Sequence, residues 1–125
     1  MPEFDLDAAL DGHAGIPPDF ACPDGLSPEG VKAWGTVVRL LQEKGNLHSG
    51  GHTHVFYSPA AWRAKGEVYG LDSELVILHD VGSHAAYFNY NYGNHSAIKC
   101  MRQALTEQGL YTKVFFDSNA AVYKL

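Results

Sequence analysis

The sequence predicts an α+β domain. Two stretches carry apolar residues at helical spacing, and between and after them lie short runs rich in β-branched and aromatic residues. Proline and glycine mark the boundaries. A length of 125 residues suits one domain. With 46% apolar and 18% charged residues, the composition is that of a chain with a core, not of a disordered one.

Ser27-Pro28-Glu29 opens the first helix: a side-chain cap, a proline that needs no helical N–H partner, and an acid in the first turn. Val31, Trp34, Val38 and Leu41 then recur on one face, widened by Val37 and Leu40, and Gly45 ends the run. Gly35 inside it costs about 1 kcal/mol relative to alanine, which close packing against another backbone would explain. The loop NLHSGG follows, then a strand at 52–57. Ser58-Pro59 repeats the helix-start chemistry for a short helix that ends near Gly70. Residues 74–80 are apolar on both faces, as in a central strand. Residues 85–92 (AAYFNYNY) read as an aromatic third strand. Asn94 or Ser96 caps a helix that turns Ala97, Ile98, Met101 and Leu105 inward and stops at Gly109. Strands at 111–116 and 120–125 make a terminal hairpin.

This order implies a ferredoxin-like β-α-β-β-α-β core with an N-terminal helix and an extra C-terminal strand. The alternative is an antiparallel α+β meander with its helices on one face. The brevity of the second helix keeps the alternative open, because a parallel crossover needs length. The division of the chain is an acidic, proline-rich arm at 1–26 and one domain at 27–125.

Charge is uneven. Residues 1–31 contain seven acids and no lysine or arginine, whereas the remainder contains the other seven acids and all nine bases. Five of the six prolines also fall in the first part, which favours an extended course. Phe4, Leu6, Leu10, Ile16 and Phe20 are apolar anchors along it. Net acidity argues against nonspecific nucleic-acid binding, which needs basic residues to neutralise phosphates. No apolar run approaches the ~20 residues of a membrane span. The opening MPEFDLDAALDG lacks a signal peptide's basic and apolar regions, and Cys22 and Cys100 are too few for a disulfide framework. The expected location is the cytoplasm.

Seven histidines are available for chemistry, and three lie in HSGGHTH. On a strand His52 and His54 share a face. With His48 on the loop they form a candidate site for a divalent metal such as zinc. Asp80 and His84, flanking a turn, are a second set. In a ferredoxin-like sheet the first two strands run parallel, so His52 and His54 lie at the opposite end from His79 and Asp80. Only the antiparallel alternative joins them.

A second constellation is an interaction surface. Phe88, Tyr90 and Tyr92 alternate onto one face of the expected aromatic strand, and His95, Lys99 and Arg102 share one face of the last helix. Tyrosine suits interfaces, being apolar in body and polar at its tip. The basic stripe suits an anionic ligand or the acidic arm. The sequence contains no P-loop, dinucleotide fingerprint, nucleophile elbow or C-x-x-C pair, and no nucleophile beside a paired base. The expectation is therefore a binding or accessory protein rather than an enzyme. It acts through protein contacts of the acidic arm and the tyrosine-rich strand, with self-association as one outcome. A metal-binding protein or metal-dependent enzyme using HSGGHTH is the second reading. Nucleic-acid stacking on the aromatic face is the third and weakest.

Overall fold

A computed structural model describes residues 16–115 and 119–125. Most of the acidic arm, and the hairpin connection at 116–118, lie outside the described residues. The fold is α+β: among the described residues there are three α-helices, α1 (Pro28–Glu43), α2 (Pro59–Ala64) and α3 (His95–Glu107), and one four-stranded sheet of β1 (Phe56–Tyr57), β2 (Leu75–Leu78), β3 (Leu110–Phe115) and β4 (Asn119–Lys124). No described helix is long and apolar enough to cross a membrane.

The helix ends follow the local chemistry. Ser27 Oγ accepts the Gly30 amide at 3.0 Å, and Asn94 Oδ1 accepts the Ala97 amide at 3.1 Å. At the end of α1, Gly45 has φ 70°, and the Asn46 amide reaches back to the Leu41 carbonyl at 2.8 Å. That is the Schellman closure which favours glycine.

Strand order is β1-β2-β4-β3, and every pairing is antiparallel. In a ferredoxin-like core the first two strands run parallel and are separated by another strand; here β1 and β2 are antiparallel neighbours. Alpha2 spans only six residues, too short to return the chain for a parallel strand. The order is not that of a meander either, because β2 pairs with β4 rather than β3. On one face Phe56, Leu75, Ile77, Val122 and Leu110 meet Trp34, Val37, Leu41, Met101 and Leu105 of α1 and α3 in a single core. Tyr57 and Val76 alternate to the other face, where the Trp62 ring of α2 lies 5.3 Å from Tyr57. The helices therefore occupy both faces.

The largest departure from the sequence reading is at 85–92. Two 3-10 segments, Ser83–Tyr87 and Tyr90–Tyr92, replace the expected strand. Asn89 explains much of the change. Its Oδ1 accepts the Asn91 amide at 2.9 Å, closing a local turn, and its Nδ2 donates to the His79 carbonyl at 3.2 Å. Asparagine competes with strand pairing in this way, and alternating aromatics do not reveal it. The strand expected at 52–57 shortens to two residues and that at 74–80 to four.

Candidate functional site

The segment between β2 and α3 builds two adjoining features: a buried histidine cluster and an exposed groove. The cluster arises where the HSGG loop meets the turn after β2. A Cβ added to Gly82, at φ 98°, would meet the His48 carbonyl at 2.2 Å, and one on Gly50 would meet the Gly82 amide at 2.8 Å. The glycines therefore let two backbones pack directly. The contact brings His52 Nε2 to 2.5 Å from Asp80 Oδ1. Burial alone would raise the Asp80 carboxyl. The hydrogen bond and charge of His52, with the amides of Asp80 and Val81, outweigh it and hold the group below its ordinary range. Tyr92 Oη donates to the Asp80 carbonyl at 2.9 Å.

Beneath this pair lie His84 and His79, both fully buried. His84 Nε2 is 2.6 Å from the Leu78 carbonyl and Nδ1 is 3.1 Å from the His48 carbonyl. A neutral imidazole has one N–H, so it donates to one carbonyl and faces the other with a lone pair. The shorter contact places the proton on Nε2. Burial pushes the pKa of His84 down, against the upward pull of the two carbonyls and Asp80. The His79 ring is stacked on Phe88 at 6.0 Å, and neither of its nitrogens makes a hydrogen bond of good geometry. Burial is also the main cause of its lowered pKa; the carbonyls of His79 and Asn119 act in the opposite direction. Both imidazoles are therefore kept neutral at pH 7.

The metal set expected at His48, His52 and His54 is not brought together. His52 is turned to Asp80, and the exposed His54 ring is 6.3 Å from that of Tyr57. Exposed His48 contributes its backbone carbonyl to His84. The shared face of His52 and His54 requires strand geometry, which begins only at Phe56. Among the described residues no group of three or more His, Cys, Asp or Glu side chains is placed to hold a metal ion. The His52–Asp80 pair is the one that the parallel topology separated; antiparallel pairing of β1 and β2 places it at one end of the sheet. Cys22 lines a depression with His54 and Asp24, and burial, then Asp24, raises its thiol pKa. That is the reverse of an activated nucleophile.

The groove runs along α3. It is lined by Tyr90, His95, Ile98, Lys99, Arg102, Gln103 and Thr106 and encloses about 530 Å³. Asn94 fixes the start of α3, and the buried row Ala97, Ile98, Met101, Leu105 sets its rotation. His95, Lys99, Arg102 and Thr106 then fall on the open side, all exposed. Arg102 Nη1 lies 3.4 Å from Tyr90 Oη, which ties the 3-10 turn to the helix. Of the six interaction residues expected from sequence, Tyr90, His95, Lys99 and Arg102 line this groove. Tyr92 is exposed on the same turn, and Phe88 is buried against His79. Phe88 is thus a core residue, because the turn at Asn89 rotates it away from Tyr90 and Tyr92. Gln103 and Thr106, which sequence reasoning passed over, follow from the helical stripe continued one turn.

Set against known protein families, curated proteins and solved structures, the chain shows no significant similarity to any of them.

Proposed function

We propose that this protein is a binding module that receives an acidic segment of a partner protein in the groove along α3. The observation behind this reading is the makeup of the groove. None of the seven described residues that line it is acidic, and it presents Lys99, Arg102 and His95 beside the apolar surfaces of Tyr90 and Ile98. Among the described residues no ion pair engages Lys99 or Arg102. In a chain of net charge −5, an acid-free concentration of basic groups suits carboxylates, and the aromatic and aliphatic walls suit apolar residues between them. A second copy of this chain, with its acidic arm, is one partner of that chemistry.

The test is a nuclear magnetic resonance titration of the full chain with a peptide of about ten alternating acidic and apolar residues, carried to millimolar concentration. The expected result is saturable shifts centred on 90–106, weakened by salt. They should be abolished in Lys99→Glu/Arg102→Glu, which changes exposed positions and leaves the fold intact. Absence of shifts at low salt refutes the reading. Tighter binding of a single-stranded oligonucleotide than of the peptide replaces it with nucleic-acid binding.

A further inference from the structure

We infer that two copies of this chain join through the edge of β3, which pairs with itself antiparallel to make one continuous sheet. The inference stands apart from the groove and does not depend on it. In the order β1-β2-β4-β3 the sheet has two edges. The β1 edge is two residues long and runs into Ser58-Pro59, which starts a helix. The β3 edge is six residues long, and its register with β4 runs unbroken from Leu110 opposite Lys124 to Phe115 opposite Asn119. It contains no proline, glycine or bulge, which are usual means of blunting an edge.

The hydrogen bonds fix which groups point outward. The Leu125 amide donates to the Gly109 carbonyl at 2.9 Å, so that pair bonds across the hairpin. Bonded pairs recur at every second residue of an antiparallel ladder. Tyr111, Lys113 and Phe115 therefore direct their amides and carbonyls to β4. Val122, opposite Thr112, agrees: its carbonyl accepts the Glu74 amide on the other side at 2.7 Å. The amides and carbonyls of Leu110, Thr112 and Val114 are left at the edge, and among the described residues none of them has a partner there.

The side chains select the register. With Thr112 facing Thr112 of the second copy across a twofold axis, Leu110 faces the copy's Val114, and each facing pair exchanges two hydrogen bonds. Between these pairs, Tyr111 faces the copy's Lys113. Both residues are exposed on the same face. Cross-strand neighbours have Cβ atoms about 4.5–5.5 Å apart, so an ammonium meets a tyrosine ring. The Tyr111 ring is already held in place, stacked on Tyr123 at 5.4 Å. On the opposite face the half-buried Thr112 and Val114 lose contact with water. A two-residue slip one way sets Lys113 against Lys113, which is repulsive. The same slip the other way pairs Leu110 with Thr112 and leaves Val114 without a partner.

The experiment follows the full chain by sedimentation velocity from about 1 µM to 1 mM, with amide exchange read by nuclear magnetic resonance across the same range. The expected result is a reversible dimer. Its formation slows exchange at Leu110, Thr112 and Val114, whereas Tyr111, Lys113 and Phe115 are protected at every concentration. Tyr111→Lys, at an exposed position, sets like charges face to face and should weaken the dimer roughly tenfold. Adding Lys113→Glu makes the facing charges opposite and should restore it. Lys99→Glu/Arg102→Glu should leave it unchanged. A chain still monomeric at the highest concentration overturns the inference. So does a dimer in which the amides of Leu110, Thr112 and Val114 exchange freely, or one lost in Lys99→Glu/Arg102→Glu, since association then uses another surface. Protection of those three amides in a chain that sediments as a monomer also overturns it, because the edge is then covered within one chain.

Discussion

His79 and His84 make the stability of this protein depend on pH over a range set by their burial. Both have native pKa values below the ordinary 6.5. The unfolded chain therefore takes up protons before the native one does. Their contribution is complete above about pH 6.5 and is lost as pH falls through the native values. Between about pH 6.5 and the native value, where only the unfolded state has bound the proton, each histidine costs about 1.4 kcal/mol per pH unit, and below the native value the cost no longer grows. Urea denaturation at pH 7.5, 6.0 and 5.0 should show falling stability with a constant slope against denaturant. His79→Leu should flatten that fall. At pH 7.5 the same substitution should be neutral or stabilising, because it removes two buried nitrogens without hydrogen-bond partners. A pH profile unchanged in His79→Leu contradicts this. Asp80 acts in a lower range, since its native value lies below 3.8. Two histidine-bearing loops were legible in HSGGHTH and HDVGSH, but the expected ferredoxin-like order kept them at opposite ends of the sheet. The pairing of His52 with Asp80 was not legible, because it depends on which strands are antiparallel.

Alpha1 illustrates how an element is specified locally and placed by contacts. Its cap, apolar stripe and stop were all readable. The close approach expected at Gly35, which is buried, has a counterpart on α1 at Gly30. A Cβ there would sit 2.5 Å from the Glu74 carbonyl, just before β2. Gly30→Ala should therefore destabilise by about 1–3 kcal/mol through forced separation of α1 from β2, although alanine is the better helix former. A melting temperature raised by Gly30→Ala would show that the helix and sheet are not in contact there. Ser27 serves two partners, accepting from the Gly30 amide and donating to Glu74 Oε2. Ser27→Ala should cost about 1–2 kcal/mol, which chemical denaturation can resolve. The 85–92 segment is the converse case. Its residues have strand propensity, but no neighbouring strand pairs with them, so the Asn89 side chain decides the backbone.

In the whole molecule, Trp34 joins the entering chain to the core. Its Nε1 donates to the Phe20 carbonyl at 2.9 Å, the Val55 amide bonds to the Asp19 carbonyl at 2.8 Å, and the Phe20 ring stands edge-on to Phe56 and His84. Trp34→Ala should cost about 3–5 kcal/mol, a large part of a domain's usual 5–15 kcal/mol. Trp34→Phe should keep most of the packing while faster amide exchange appears across 19–22. Exchange unchanged in that variant would mean that the indole bond does not hold the segment.

The sequence by itself determined the helices, their caps, the terminal hairpin, the α+β class and the basic stripe of α3. Each is written in residues close together along the chain, through a period, a cap or a turn. Only the tertiary structure decided the strand order, the exchange of an expected strand for two turns, the meeting of His52 with Asp80, and the departure of Phe88 from the surface. Those outcomes depend on which distant segments share the limited space around one core. Backbone hydrogen bonds satisfy β2 equally well with a parallel or an antiparallel neighbour, so local pattern cannot choose between them. Connection length and side-chain volume across the whole domain make that choice.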